Sequence, residues 1–139
     1  MTARGFRHNE LMADYKPAGF NSVTPYLVVP DGDRAVQFLK DAYDAVEVSV
    51  YRREDQMIMH AELRIGDSMI ELGHANDKWK AMTASLHLYV PDTDAAYRKA
   101  LAAGGTSLSE PTDAEYGDRT AGIVDPSGNH WFLATFQHR

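Results

Sequence analysis

Thr24-Pro-Tyr-Leu-Val-Val-Pro-Asp-Gly-Asp-Arg-Ala35 occurs a second time, with changed letters, as Ser85-Leu-His-Leu-Tyr-Val-Pro-Asp-Thr-Asp-Ala-Ala96. Val29, Pro30, Asp31, Asp33 and Ala35 meet Val90, Pro91, Asp92, Asp94 and Ala96, each pair 61 positions apart. At the same offset and without a gap, Glu71-Leu72 falls on Phe132-Leu133. A duplicated unit of this size is a supersecondary module that buries its apolar face against its twin. Such a pairing leaves a natural place for a ligand between the copies.

The hydrophobic period changes in the same order in each copy. Tyr26 to Val29 is a short β-prone run closed by Pro30-Asp31; from Asp33 the apolar residues Ala35, Phe38, Leu39 and Ala42 follow helical spacing. Val46, Val48 and Val50 alternate with polar residues from Ala45 to Tyr51, and Met57 to Ile65 alternates again before a Gly66-Asp67 turn and Ser68 to Leu72. The first module therefore reads βαβββ. In the second, Leu86 to Val90 is a strand and Asp94 to Ala103 a helix stopped by Gly104-Gly105; Ser107-Leu108, Thr120 to Val124 and His130 to Phe136 are strand candidates. Ser109 to Gly117 is polar enough to be a loop over a cavity, and Asp125-Pro-Ser-Gly128 is a turn by residue type. The expected organisation is an arm over residues 1–22 and one domain over 23–139. That domain holds module one at 23–73, a linker at 74–83 and module two at 84–136.

With 139 residues and 44% hydrophobic content, the chain suits one compact domain built from two modules that share a core. Fourteen basic against 20 acidic residues give a net charge of -6, which opposes nonspecific attraction to nucleic acid or an anionic membrane surface. The absence of cysteine excludes disulfides, thiolate metal sites and a cysteine nucleophile. Residues 1–22 lack the continuous apolar stretch of a signal peptide or membrane helix, so a cytoplasmic location is expected, with this segment a loose arm or a docked strap. No glycine-rich phosphate loop, Gly-x-Ser-x-Gly elbow or His-Glu-x-x-His motif is present, and no cofactor is expected.

Val23-Thr-Pro-Tyr-Leu-Val-Val29, Met59-His-Ala-Glu-Leu-Arg-Ile-Gly-Asp-Ser68, Ser85-Leu-His-Leu-Tyr-Val90, Tyr116-Gly-Asp-Arg119 and Asp125-Pro-Ser-Gly128 together resemble the PhnB-like branch of the glyoxalase, bleomycin-resistance and extradiol-dioxygenase superfamily, the vicinal oxygen chelate proteins. The resemblance spans about Lys16 to Phe136. It implies an α+β fold of two tandem βαβββ modules forming a cupped mixed β-sheet with helices on the outer face, commonly completed within a homodimer. It does not imply one reaction, because function resides in the site and not in the fold. Metal-dependent members take ligands from the start of the first strand and from the last strand of each module, positions that fall here on Thr24, Glu71, Ser85 and Phe132. One carboxylate, two hydroxyls and a phenyl ring do not make a set of three nitrogen or oxygen ligands, so no metal is expected at those positions.

Strand alternation puts Tyr26, Glu71, His87, Tyr89, His130 and Phe132 on the cup side, with Leu27, Val29, Leu86, Leu88 and Val90 on the helix side; His60 and Glu62 share a face and join the first set. The candidate catalytic residues are Glu71 and His60. Tyr26, His87, Tyr89, Arg119, His130 and Phe132 are the candidate ligand contacts. Each has a structural alternative. The strand histidines also fit partly buried, hydrogen-bonded residues, and the aromatics, with Trp79, fit core or interface packing. Glu71 fits an ion pair with Arg64 or Arg119, or a base in an apolar cup. Arg119 fits either a fork for an anionic ligand or an ion pair with Asp118, Asp113 or Glu115. A metal on His60, Glu71 and His87 is chemically feasible, although register across strands is not legible from sequence. The expected function is metal-independent sequestration or slow turnover of a small amphipathic metabolite or antibiotic by a homodimer. The alternative is a lyase, isomerase or dioxygenase-type enzyme using Glu71 or a histidine as base, or a displaced metal site.

Overall fold

The computed structural model describes residues 15–137. The elements run β1 (Tyr26–Val29), α1 (Gly32–Tyr43), β2 (Val46–Arg52), β3 (Ile58–Ile65) and β4 (Ser68–His74), then β5 (Ser85–Tyr89), α2 (Thr93–Ala102), β6 (Thr106–Asp113), β7 (Arg119–Val124) and β8 (His130–Thr135). Two four-stranded mixed sheets result, ordered β1-β4-β3-β2 and β5-β8-β7-β6. The fold is α+β, and in place of one continuous sheet there are two sheets of the same strand order.

The repeat is a repeat of hydrogen bonds as well as of letters. Asp31 and Asp92 cap the two helices from extended backbone, and their carboxylates accept from Arg34 N–H and Ala95 N–H at 3.1 Å in each case. Gly32 N–H donates to His74 Nδ1 at 3.1 Å, and Thr93 N–H donates to Thr135 Oγ1 at 3.0 Å. The same orphan donor at a helix start thus finds an imidazole in one module and a hydroxyl in the other. In the parallel pairs Tyr26 faces Glu71 and His87 faces Phe132, so positions 71 and 132 are twins in space.

The offset of 61 does not hold throughout. Leu63 pairs Ile70 while Ile123 pairs Trp131, and Ser49 pairs Glu62 while Ser109 pairs Gly122. The middle strands therefore correspond at 60, with His60 matched to Thr120 and Glu62 to Gly122. One residue is lost after α2, which is shorter than α1, and one is regained in the longer turn at Asp125.

Each sheet turns one face to the helices. Leu27, Val29, Leu63, Ile70 and Leu72 from the first sheet, and Ala121, Ile123, Trp131 and Leu133 from the second, join Phe38, Leu39, Tyr43, Tyr97 and Ala100 of the helices in one buried cluster. Tyr43 of α1 rests on Trp131 of β8 with ring centroids 4.8 Å apart, so the modules share their core through the helical layer. Asp125 secures this contact from below: its buried carboxylate accepts from Ser127 N–H, Asn129 N–H and Trp131 Nε1–H at 2.8–2.9 Å. The Asp-Pro-Ser-Gly turn is therefore a hydrogen-bonded seat for the core tryptophan.

Thr106–Asp113 corrects one expectation, being a continuous strand where residues 109–117 read as a possible loop. It is an edge strand with almost every residue exposed, so no apolar alternation marks it, and Pro111 is tolerated where no further strand needs its N–H. Of the arm, Phe20 is buried and residues 1–14 lie outside the described part. The linker follows the edge of β1, with Ala75 N–H bonded to Val29 O and Met82 N–H to Val28 O.

Candidate functional site

The faces turned away from the helices are open in both sheets. On the first, β1, β3 and β4 present Tyr26, His60, Glu62 and Glu71. Glu62 and Glu71 are register partners, as are Tyr26 and Glu71. His60 Nε2 lies 3.2 Å from Glu62 Oε2, and Ser49 Oγ–H donates to Glu62 Oε1 at 2.8 Å. The Tyr26 ring is 5.8 Å from the His60 ring. Its burial, and after that the charge of Glu71, hold the Tyr26 hydroxyl above its ordinary pKa. That hydroxyl stands over Gly73, where an added Cβ would meet it at 2.7 Å; a glycine is what lets the ring lie down on β4.

Beside this group lies a cavity of about 630 Å³ walled by Tyr26, Met59 and Trp79, with His60, Arg53 and Asn76 as polar groups. Trp79 comes from the linker, where Asn76 Oδ1 accepts from the N–H groups of Lys78 and Trp79 and holds the turn. A second cavity of about 440 Å³ separates the β1 side from β5 and is lined in part by Thr24, Met69, Ser85 and His87.

The expected site residues therefore come together as two groups. Tyr26, His60 and Glu71 share the first open face. His87, Tyr89, His130 and Phe132 share the second, with His87 and Tyr89 rings 4.7 Å apart and those of His130 and Phe132 6.3 Å apart. Arg119 belongs to neither. It sits on the helix side of β7, its fork closed on Asp94 of α2 by two bonds of 3.0 Å, with Asp113 at 3.4 Å. Asp94 is held below the usual carboxylate range chiefly by that hydrogen bond. Glu71 has no ion-pair partner among the described residues, neither Arg64 nor Arg119. Sequence reasoning left out Arg53, Met59 and Gly73 from the site, and saw Glu62 only as a companion of His60.

A family model described as the glyoxalase/bleomycin resistance protein/dioxygenase superfamily matches residues 19–133. The chain belongs to this superfamily. It is 35% identical over 123 residues to the uncharacterized protein Rv0887c of Mycobacterium tuberculosis, covering 81% of this chain and 72% of that one. Among solved structures it is similar in fold to TioX from Micromonospora sp. ML1, with TM-score 0.69 and 19% identity over 86% of this chain and 98% of TioX. It is also similar in fold to the PhnB protein from Bacillus cereus, with TM-score 0.63 and 17% identity over 83% and 99% of the two chains. The positions at which the superfamily's metal-dependent members hold their ion do not fit one here. Glu71 and Phe132 occupy twin seats, and only the first carries a donor.

Proposed function

We propose that this protein is a PhnB-like member of its superfamily that binds a small amphipathic organic molecule on the open face of module one, to sequester it or turn it over slowly. The observation that carries this reading is the cavity of about 630 Å³ between Tyr26, Met59 and Trp79, which lies within the usual range for small-molecule sites. Two aromatic rings and a thioether offer flat apolar contact, while Arg53, which also pairs with Asp55 at 2.7 Å, Asn76 and His60 are polar groups in the same lining. A planar ring system bearing an acceptor or anionic group matches that lining.

A second copy of the chain completes the site. Tyr26, Tyr51, Met59, Tyr89 and Phe132 are exposed on the strands, and in one chain the ring contacts of each open face stay within its own module. Apposition of the two kinds of open face across a two-fold axis covers both and gives the ligand a roof. The acidic balance opposes nonspecific attraction to nucleic acid or an anionic bilayer, and no helix among the described residues is long and apolar enough to cross a membrane.

Trp79 supplies the test. It is 61% exposed, whereas Trp131, the other tryptophan, is 2% exposed. Titration with planar amphipathic compounds, first selected by thermal shift, should change tryptophan emission in the native chain and leave Trp79→Phe silent. Compounds that stabilise the fold while leaving Trp79 emission unchanged would place the ligand elsewhere. Sedimentation should give a dimer, and a monomer that still binds would remove the second copy from the proposal.

A further inference from the structure

Glu62 and Glu71 face each other from adjacent antiparallel strands, on the same open face. Like charges directly opposite in a sheet are destabilising, and neither carboxylate forms an ion pair with a lysine or arginine among the described residues. Glu62 is positioned by Ser49 and His60. Glu71 has no such partner among the described residues, and its donor atom lies within 4.8 Å of those of His60 and Glu62. The constellation thus holds two carboxylates and one imidazole, with no lysine or arginine paired to it among the described residues.

We propose that His60, Glu62 and Glu71 form a binding site for a divalent first-row transition-metal ion, built on β3 and β4 of one module and displaced from Thr24, Glu71, Ser85 and Phe132. Each residue offers one donor atom, and the three donors lie within 4.8 Å of one another. An ion held at about 2.0–2.2 Å draws neighbouring donors to about 3 Å apart, so binding requires the glutamate side chains to turn toward it. One imidazole with two carboxylates suits zinc, manganese, iron(II), cobalt or nickel. Copper(I) favours sulfur, and magnesium and calcium favour all-oxygen sets. All three side chains are half-buried, so the remaining coordination positions open to the face that carries Tyr26. Module two has no equivalent, because the matching positions are Thr120, Gly122 and Phe132. The site does not depend on the organic ligand proposed above, and either can fail without the other.

Equilibrium dialysis of the tag-free chain against zinc or manganese, with metal measured by elemental analysis, tests it directly. One ion per chain is expected, with affinity falling about tenfold or more in Glu71→Gln and in His60→Ala at unchanged near-ultraviolet circular dichroism. Uptake that survives both substitutions, or no uptake at millimolar metal, overturns the proposal. If either variant fails to fold, the native chain decides: manganese should broaden the NMR signals of His60, Glu62 and Glu71 first, and broadening centred elsewhere overturns it.

Discussion

Module one and module two have the same strand order, the same aspartate N-caps on their helices and the same twin pairing of first and last strands, yet their open faces hold different chemistry. In the first, Ser49 hydrogen-bonds Glu62. In the second, the matching Ser109 stands over Gly122, where an added Cβ would meet its oxygen at 2.8 Å. Tyr26 and Glu71 in one module become His87 and Phe132 in the other. A duplicated backbone is thus used once for carboxylates and once for rings. What separates them is a handful of open-face side chains that take no part in the core, where substitution costs the fold little.

The largest effect expected from breaking this comparison is at the turns before the last strands. Asp125→Ala removes three hydrogen bonds and leaves the buried Trp131 N–H without its acceptor, which should cost about 3–5 kcal/mol in a denaturant melt. Asp67→Ala in the exposed first-module turn should stay within about 0.5 kcal/mol. Exchanging the twin seats comes next. Glu71→Phe should reduce zinc or manganese uptake about tenfold or more, and Phe132→Glu should create no uptake comparable to that of module one, since Thr120 and Gly122 bring no second carboxylate to the face that His87 and His130 share. Dialysis of the two single variants measures this, and a new ion in Phe132→Glu would show that the seat alone suffices.

Tyr43 is a smaller test, on the shared core. Its hydroxyl is buried without a partner, and burial followed by the charge of Asp125 raises its pKa far above the ordinary value. Tyr43→Phe should leave thermal stability unchanged or raise it by up to about 1 kcal/mol. The smallest effect concerns the twin acids Asp33 and Asp94, each held by the fork of one arginine, Arg52 and Arg119. Both pKa values lie below the ordinary value, first through those hydrogen bonds. The stability they add is present above about pH 4 and is lost as pH falls through their folded values. Asp33→Asn and Asp94→Asn should each flatten the acid limb of a melting-temperature profile slightly. Asp94→Asn should do so more, because Asp94 is 40% exposed against 62% for Asp33.

Much of this was legible in the letters. Period-2 alternation gave the faces of Tyr26, His60, Glu71, His87 and Phe132, and the Val-Pro-Asp repeat marked where both first strands end. Of the edge strand β6 only Ser107-Leu108 was legible, because a strand exposed on both sides buries little and its continuation through residues 109–113 shows no apolar pattern. Arg119 was legible only as a choice between a fork for an anionic ligand and an ion pair. Asp113, one of the partners named, lies at 3.4 Å, but only the packing of α2 on β7 brings Asp94 into the fork.

The repeat, the two βαβββ modules and the side of each strand that a residue occupies were determined by the sequence alone, because they depend on neighbours two to four positions away. Which residues meet across strands was decided by the tertiary structure. Turn length and a one-residue slip in the middle strands, both invisible to local period, put Glu62 beside Glu71 and Gly122 beside Phe132.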